Sequence, residues 1–198
     1  MLPVCRCSLS ALTTGKAMET ELKASQHPLD KFAYCPVCGS RRFDVATVKS
    51  KRCADCGFEL FMNPSASVAV FIRNGEGELL FVVRGCEPAK GTLDLPGGFT
   101  DIGETVEEAV RREVMEETGL QVASMHYLFS LPNKYLYSGL LIPTMDLFFE
   151  CRVDDLIGLR ANDDAAACRW LKPSEVKACE IGLDSIRRGT MRYVGELP

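Results

Sequence analysis

The chain has 198 residues, a quarter of them charged, and a formal net charge of −4. This length accommodates one full domain and a small additional unit, and the charge excludes a global basic field that would collect nucleic acid. No apolar run is long enough to cross a bilayer, so a membrane-spanning helix is not expected either.

The first thirty residues show no hydrophobic period that would predict a packed element. A short helix is suggested over residues 19–24, and His27-Pro28 favours an extended break after it. The first twelve residues lack the charged start and the long apolar centre of a signal peptide. We predict that residues 1–30 form a disordered extension.

Four cysteines then form two Cys-x-x-Cys pairs, each followed by glycine: Cys35 with Cys38, and Cys53 with Cys56. Two such pairs that face each other supply four thiolates to a tetrahedral Zn²⁺. Because four thiolates close the coordination shell, this zinc is predicted to be structural. The alternatives are a chance cluster of cysteines and a redox motif, but a redox motif normally occurs singly on a βαβ unit.

The residues around these pairs predict two short strands, at residues 42–49 and 58–61, as partners of each other. The pattern resembles a zinc ribbon, which we place at residues 31–62. The other six cysteines show no pairing of this kind, as expected of thiols in a reducing compartment, and we expect a cytoplasmic protein. They are Cys5, Cys7, Cys86, Cys151, Cys168 and Cys179.

Asn63-Pro64 marks the start of a second domain, which we place at residues 63–198. Two apolar, β-rich runs at residues 65–73 and 78–84 predict either a hairpin or two strands joined by a short loop. A brief strand at residues 93–96 precedes a helix over residues 105–118, which Gly119 ends.

The rest of the domain predicts further strands and a terminal helix. A strand over residues 122–131 is broken by Pro132-Asn133-Lys134, and a long strand over residues 140–153 has an irregularity at Pro143. A last short strand covers residues 168–171, and the terminal helix covers residues 184–193. Because strands and helices alternate without a strict βαβ rhythm, we expect a mixed sheet with helices on both faces.

The helix over residues 105–118 carries three clustered carboxylates. Glu113, Glu116 and Glu117 are spaced i, i+3 and i+4, so they project from one side of the helix. These like charges are tolerable if a divalent cation lies between them, and Mg²⁺ prefers oxygen ligands. Gly97-Gly98, just before the helix, lets backbone carbonyls approach such a site closely. A solvated acidic helix is the alternative, but it does not account for the Gly97-Gly98 pair before the helix.

The complete pattern of fixed positions runs from Gly98 to Leu120. It reads glycine, five residues, Glu104, seven residues, Arg112-Glu113-Val114, one residue, Glu116-Glu117, one residue and Gly119-Leu120. This pattern resembles the Nudix box at every fixed position. The resemblance implies an α+β fold, the α/β/α Nudix sandwich with a mixed β-sheet, and the hydrolysis of a nucleoside diphosphate linked to another group.

The resemblance also implies roles for individual residues. Glu113, Glu116 and Glu117 are expected to bind Mg²⁺ or Mn²⁺, together with a backbone carbonyl of Gly97 or Gly98. Such ions neutralise the pyrophosphate and lower the pKa of a bound water. Arg112 is expected to pair with a box glutamate and to leave the substrate untouched. Glu104 is expected to bind the metal, to form a hydrogen bond or only to cap the helix.

The general base and the substrate contacts lie partly outside the box. Glu117 is the first candidate for the base, and Asp163 or Asp164 from a later loop is the alternative. The candidate substrate contacts are Arg84, Phe99, Tyr135 and Asp164. Tyr135 or Tyr137 offers a ring for stacking on a purine, although packing is the more common role of such tyrosines.

One Nudix subgroup, the NADH pyrophosphatases, carries a four-cysteine ribbon before the catalytic domain, as this chain does. The subgroup's Ser-Gln-Pro-Trp signature is replaced here by Ser130-Leu131-Pro132-Asn133. The resemblance to the subgroup therefore covers the architecture of residues 34–172 but not the specificity signature. Because the signature is absent, NADH is not assured as the main substrate. The shared architecture implies that two copies of the chain form a homodimer.

Three functions are compatible with these observations. The favoured one is a pyrophosphohydrolase for ADP-ribose, an NAD(H)-like dinucleotide or a nucleotide sugar. The second is an NAD-cap-processing RNA enzyme whose ribbon grips RNA through its basic residues, namely Arg41, Arg42, Lys49, Lys51 and Arg52. The third is a sensor that binds ADP-ribose without turnover, but the chain keeps the box carboxylates and has no helix-turn-helix pattern.

Overall fold

The computed structural model describes residues 27–196 and divides into two compact units between Met62 and Asn63. The helix suggested over residues 19–24 and most of the predicted extension lie outside the described residues. Packing of the first unit begins before residue 31, because Leu29 is fully buried and His27 Nε2 hydrogen-bonds to the Thr47 carbonyl oxygen at 2.8 Å. Among the described helices, none has the length and apolar character needed to span a membrane.

The first unit is a three-stranded antiparallel sheet in the order β1-β2-β3. Its strands are β1 (Phe43–Thr47), β2 (Ser50–Cys53) and β3 (Glu59–Phe61). The predicted pairing of the first and last strands is wrong, since both pair with β2, which the sequence analysis missed. The polar segment Ser-Lys-Arg-Cys gives no strand period, yet three of its four side chains are buried.

The second unit contains two three-stranded sheets. The first has the order β4-β8-β7, with β4 (Ser65–Ile72) parallel to β8 (Leu140–Val153) and β7 (Val122–Tyr137) antiparallel to it. It is therefore a mixed sheet, as predicted. The second sheet has the order β6-β5-β9 and is antiparallel. Its strands are β5 (Leu79–Arg84), β6 (Leu93–Asp94) and β9 (Ala165–Leu171).

The hairpin interpretation of residues 65–84 is wrong, and two strands joined by a short loop is the observed arrangement. β4 and β5 belong to different sheets, and an isolated bridge between Arg73 and Leu79 joins the end of one to the start of the other. Both runs are almost entirely apolar, so each strand can be covered on two sides instead of pairing with its neighbour in sequence.

Two helices cover opposite faces of the mixed sheet, α1 (Val106–Thr118) and α2 (Asp184–Glu196). Val68 and Val70 of β4 pack in one core cluster with Val110 of α1. Ala69 and Phe71 of the same strand belong to the core cluster on the other face, where the Phe71 ring stacks on Tyr193 of α2 with centroids 3.9 Å apart. Because successive strand residues point to opposite faces, this alternation builds the predicted α/β/α sandwich.

Strand β7 continues six residues beyond the predicted end at Leu131 and includes Pro132, which pairs in register with Met145. The predicted break is wrong because β7 is at the edge of its sheet, where a missing N–H need not remove a ladder hydrogen bond. The predicted irregularity at Pro143 is also wrong. That residue pairs regularly with Lys134, and the register shifts lie near the start of β7 instead.

Candidate active site

Helix α1 has well-defined ends, which fix the positions of its functional side chains. Thr105 Oγ1 accepts a hydrogen bond from the Glu108 N–H, and the Glu108 carboxylate accepts one from the Thr105 N–H, which together form a capping box. At the other end Gly119 adopts a left-handed conformation with φ of 73°. The helix is anchored by the fully buried Val110 and Val114.

Glu117 continues the buried stripe of α1, since it lies three residues after Val114, and only 8% of it is exposed. Its Oε2 accepts a hydrogen bond of 3.0 Å from the backbone N–H of Gly97. Burial raises the pKa of Glu117 to about 8, and the nearby carboxylates of Asp94 and Glu113 act in the same direction. This carboxylate therefore lies in an environment that favours either a proton or a cation beside it.

The Gly97-Gly98 segment runs alongside β4. The N–H of Val70 donates to the carbonyl of Pro96 at 2.9 Å, and the N–H of Val68 donates to that of Gly98 at 2.8 Å. The intervening carbonyl of Gly97 has no such partner within the described chain, which makes it the better of the two predicted backbone ligands. A Cβ at Gly97 would lie 2.0 Å from the Val68 oxygen, and one at Gly98 would lie 2.5 Å from the Glu113 carboxylate. Only glycine fits at position 97, and a side chain at position 98 would displace the Glu113 carboxylate.

Arg112 joins the helix to the preceding loop. Its guanidinium donates to both carboxylate oxygens of Glu104 at 2.8 Å, to Glu113 at 2.8 Å and to Glu116 at 3.1 Å. It also donates to the backbone carbonyl of Phe99 at 2.9 Å. The bidentate pair lowers the pKa of Glu104 to about 2. Arg112 thus makes the predicted contacts with box glutamates.

A cleft of about 370 Å³ lies in front of these groups. All predicted Mg²⁺ ligands line it, namely Glu113, Glu116, Glu117, Gly97 and Gly98. The three glutamates do not form a compact cage. Over residues 27–196, only the four ribbon cysteines bring three or more ligand atoms within 4.8 Å of one another. The carboxylates instead border the cleft, with space for ligands that do not come from the protein.

The four predicted substrate contacts also line the cleft: Arg84, Phe99, Tyr135 and Asp164. Arg84 forms a buried ion pair with Asp94 and donates to the Pro88 carbonyl at 2.7 Å and to the Tyr135 hydroxyl at 3.4 Å. The rings of Phe99 and Tyr135 meet edge to face, with centroids 5.5 Å apart. By contrast, Tyr137 is 61% exposed and is not among the lining residues.

The two candidate bases of the later loop, Asp163 and Asp164, reach the cleft as well. Asp163 has a positive φ of 49°, and the carbonyl of Asp164 accepts a hydrogen bond of 2.7 Å from the Gly85 N–H. This contact fixes the loop against the end of β5. The structure thus brings both aspartates and Glu117 to one cleft and leaves all three as candidates for the base.

Several polar cleft residues were missed in the sequence, among them Asn133 and Asp146. Asp146 is only 6% exposed, and its carboxylate accepts hydrogen bonds from four side chains on four elements. The donors are Ser67 of β4, Asn133 of β7, Thr144 of β8 and Ser185 of α2. One signal existed, because Asp146 is a charged residue flanked by the apolar Met145 and Leu147 in β8, where an unpaired charge would be costly.

The four ribbon cysteines meet as predicted for a metal site. The Sγ atoms of Cys35 and Cys56 are 3.7 Å apart, and those of Cys38 and Cys53 are 3.6 Å apart. Tetrahedral coordination with Zn–S bonds of about 2.3 Å requires sulfur atoms roughly 3.8 Å apart. The four thiols therefore fit Zn²⁺.

The turns of the two knuckles support this arrangement. The N–H of Gly39 donates to the Cys35 carbonyl at 2.9 Å, and that of Gly57 donates to the Cys53 carbonyl at 3.0 Å. Both glycines have positive φ, 73° and 76°. A side chain at either glycine would strain the turn.

A mixed sheet between two helices, with a capped glutamate helix beside a Gly-Gly segment, defines the Nudix class of folds. The NUDIX domain model matches residues 63–192, so the chain belongs to this family. The family and the α+β fold inferred from the sequence are thereby confirmed.

Two relatives illustrate the similarity. The chain is 32% identical to an ADP-ribose pyrophosphatase of Methanocaldococcus jannaschii over 140 residues, which are 69% of this chain and 78% of that protein. It is 33% identical to the NAD-capped RNA hydrolase NudC of Haemophilus influenzae over 107 residues, which are 54% of this chain and 40% of that protein. The match thus spans less than half the length of the second relative.

Among solved structures, the chain is similar to a NUDIX hydrolase from Nitrosomonas europaea. The TM-score is 0.63 at 22% identity, and the superposition covers 82% of this chain and 90% of that one. At this identity the likeness establishes the fold.

Proposed function

We propose that the chain is a Mg²⁺-dependent pyrophosphohydrolase that cleaves a nucleoside diphosphate linked to another group. The observation that carries this proposal is the set of Glu113, Glu116 and Glu117 along one wall of the cleft, in a chain that belongs to the Nudix family. The names of the two relatives support the same class of reaction, since one is a pyrophosphatase for ADP-ribose and the other a hydrolase for NAD-capped RNA.

The residues present fit a hard divalent cation. Three carboxylates and the carbonyl of Gly97 offer oxygen ligands, and the open side of the cleft leaves positions for water and phosphate oxygens. Mg²⁺ or Mn²⁺ held there would neutralise the diphosphate and lower the pKa of a bound water. Arg112 keeps Glu113 and Glu116 in place, and the Gly97 N–H orients Glu117.

Glu117 is our first candidate for the group that accepts the proton of the attacking water. It is the most buried of the three box glutamates, and a cation beside it would favour the charged form that can accept a proton. Asp163 and Asp164 remain the alternatives, because both border the same cleft.

The substrates proposed are ADP-ribose, an NAD(H)-like dinucleotide and a nucleotide sugar, all of which contain a diphosphate between two different groups. Processing of NAD-capped RNA is the second candidate, and the NudC relative favours it. The basic residues of the ribbon give limited support to binding of RNA. Lys51 is buried, with its ammonium on the Phe32 carbonyl at 2.8 Å, and Arg42 is paired with Asp55.

The proposal includes a structural Zn²⁺ in the ribbon, a cytoplasmic location and a homodimer. Zinc rests on the sulfur distances, the location on the number of unpaired cysteines, and the dimer on the resemblance to ribbon-bearing enzymes. Metal analysis of the purified protein tests the zinc, and the mass of the protein in solution tests the homodimer.

The deciding experiment is a Mg²⁺-dependent hydrolysis panel with products identified by mass. It includes ADP-ribose, NADH, NAD⁺, nucleotide sugars, diadenosine polyphosphates, nucleoside triphosphates and NAD-capped RNA. Glu116→Gln is the test variant, and Glu107→Gln is the matched control, because Glu107 is an exposed glutamate of the same helix outside the cleft. We expect turnover that Glu116→Gln loses and Glu107→Gln keeps. Tight binding without turnover would instead favour the sensor function.

A further inference from the structure

The cleft has a second wall, formed by β7, β8 and the segment around Phe99, that the box does not account for. Asn133 and Tyr135 are two residues apart on β7, so both point to the same face of the strand and both line the cleft. Phe99 lies edge to face with Tyr135. This wall thus combines one amide with two aromatic rings.

Asp146 determines the orientation of that amide. Asn133 Nδ2 donates to Asp146 Oδ2 at 3.1 Å, and a carboxylate can only accept hydrogen bonds. Rotation of the amide by 180° would place its oxygen against the carboxylate, so the nitrogen is held toward Asp146. Asn133 Oδ1 and the second N–H of Nδ2 have no partner within the described chain.

The same carboxylate is itself held rigidly. Thr144 Oγ1 donates to Oδ1 at 2.7 Å, Ser67 Oγ donates to the same oxygen at 2.5 Å, and Ser185 donates to the other. A buried charge is costly, and an apolar side chain at this position would pack against α2 without that cost. The arrangement is explained if the cleft needs an amide of one fixed orientation.

A fixed amide presents one acceptor beside one donor. The exposed edges of adenine carry the complementary pair, an N6–H donor next to a ring-nitrogen acceptor, and asparagine recognises adenine through this pair. Hypoxanthine differs only around this edge, where O6 replaces the N6 amino group and N1 carries a proton. In the pose that pairs adenine with a fixed amide, hypoxanthine would place acceptor against acceptor and donor against donor.

We propose that Asn133 reads the base of the substrate, that this base is adenine, and that Asp146 is the positioning residue that fixes the amide. Phe99 is 39% exposed and offers a ring surface beside the amide for stacking on that base. This inference deepens the proposed function, on which it rests, by assigning the substrate to the adenosine diphosphate class.

Binding of AMP and IMP tests the inference without requiring hydrolysis. Titration calorimetry at nucleotide concentrations up to about 10 mM is expected to show AMP binding about 10- to 100-fold more tightly than IMP in the wild type, the discrimination of one bidentate contact. Asn133→Ala is expected to reduce this preference to less than about threefold. Lys134→Ala is the matched control, because it changes the exposed neighbour on the opposite side of β7.

Asp146→Asn supplies the independent test of positioning. The variant side chain can both donate and accept, so it no longer fixes the Asn133 amide, and the AMP preference is expected to fall while IMP binds more tightly than in the wild type. A merely structural role of Asp146 would weaken both nucleotides alike. If Asp146→Asn does not fold, Asn133→Ala still decides the question.

Turnover of ADP-ribose and its hypoxanthine analogue, IDP-ribose, gives the same comparison for the reaction. We expect the loss in Asn133→Ala to appear in KM for ADP-ribose, with kcat retained. Equal binding of AMP and IMP by the wild type, no measurable binding of AMP, or an unchanged preference in Asn133→Ala would overturn the assignment. A preference for AMP without turnover of any diphosphate would instead retain the base-reading role and overturn the proposed hydrolase function.

Discussion

The four cysteines of the ribbon and the three box glutamates are both sets of metal-binding residues, but they are held in opposite ways. The sulfur atoms lie within 4.8 Å of one another. The carboxylates border an open cleft, and protein groups already contact them: Arg112 donates to Glu113 and Glu116, and the Gly97 N–H donates to Glu117.

This difference separates a metal needed for folding from a metal needed for chemistry. Four thiolates at such distances repel one another unless a cation lies among them, so the ribbon and its metal depend on each other. Arg112 compensates part of the glutamate charge without any ion. The second unit is therefore expected to fold without Mg²⁺ and to bind it in a cleft that keeps positions open for substrate and water.

The largest effect is expected from Cys38→Ser, which removes one zinc ligand. Structural zinc contributes on the order of 10 kcal/mol to the folding of zinc-finger peptides, and the ribbon has only a small core around Phe43. We expect loss of about one zinc per chain and loss of amide protection in β1, β2 and β3, measured by hydrogen exchange. Cys179→Ser, at an exposed position of the second unit, is the control. Retention of protection in Cys38→Ser would show that the ribbon does not need its metal.

Glu117→Gln is expected to have the next largest effect, on catalysis instead of folding. The substitution keeps the shape of the side chain but removes a metal ligand and the candidate base, and we expect kcat to fall about 10²- to 10⁴-fold. Steady-state kinetics in saturating Mg²⁺ measure the glutamate site, and the zinc content of the protein measures the cysteine site. Glu107→Gln serves as the control, and a Glu117→Gln enzyme with normal kcat would assign the base to Asp163 or Asp164.

Arg112→Ala is expected to reduce kcat/KM about 10- to 100-fold by leaving three carboxylates without their guanidinium partner. Each broken charge-assisted hydrogen bond costs roughly 1.5–3 kcal/mol, and part of this loss is recovered by solvent. The neighbouring Arg111→Ala is a close control, because Arg111 is exposed and its guanidinium donates to the backbone carbonyl of Glu107 and not to a box carboxylate within the described chain. Arg112→Lys should recover part of the activity. Equal activities of the two alanine variants would remove Arg112 from the positioning of the box.

The box half of the cleft was predictable because its information is local. Helix α1 has a capping box at Thr105, an apolar stripe and a glycine end, all of which can be recognised from spacing. The cysteine pairs are equally local. In both regions the residue spacing alone places the side chains on one side of a helix or in one turn.

The opposite half of the cleft was not predictable in the same way, because its contacts join distant parts of the chain. Asp146 collects donors from Ser67 and Ser185, which are 79 and 39 residues away from it in sequence. Pro132 gave the wrong strand end because its tolerance depends on β7 being at a sheet edge. Neither the edge position of β7 nor the set of hydrogen bonds around Asp146 can be predicted from residues that are close in sequence.

The smallest expected effect, the pH dependence of metal-free stability, sharpens the distinction between the two sites. Burial raises the pKa of Glu117 from 4.5 to about 8, so the folded protein binds more protons than the unfolded chain between these pH values. Stability from this group is therefore full below about pH 4.5 and is lost as pH rises toward 8. We expect a loss of about 1–3 kcal/mol, since one pKa unit corresponds to about 1.4 kcal/mol and local opening relieves part of the shift.

Thermal unfolding of the second unit in the presence of EDTA, followed from pH 5.5 to 8.5, measures this effect against Glu117→Gln. The variant cannot ionise at this position, so the difference between the two proteins isolates Glu117 from other groups that titrate in the range. Mg²⁺ should reduce the loss in the wild type, because the cation replaces the proton beside the carboxylate. A wild type that gains stability relative to the variant as pH rises without Mg²⁺ would mean that Arg112 and the Gly97 N–H already stabilise the charged form. The glutamate site would then be preorganised for charge in the absence of a cation, and the contrast with the cysteine site would be greater than proposed here.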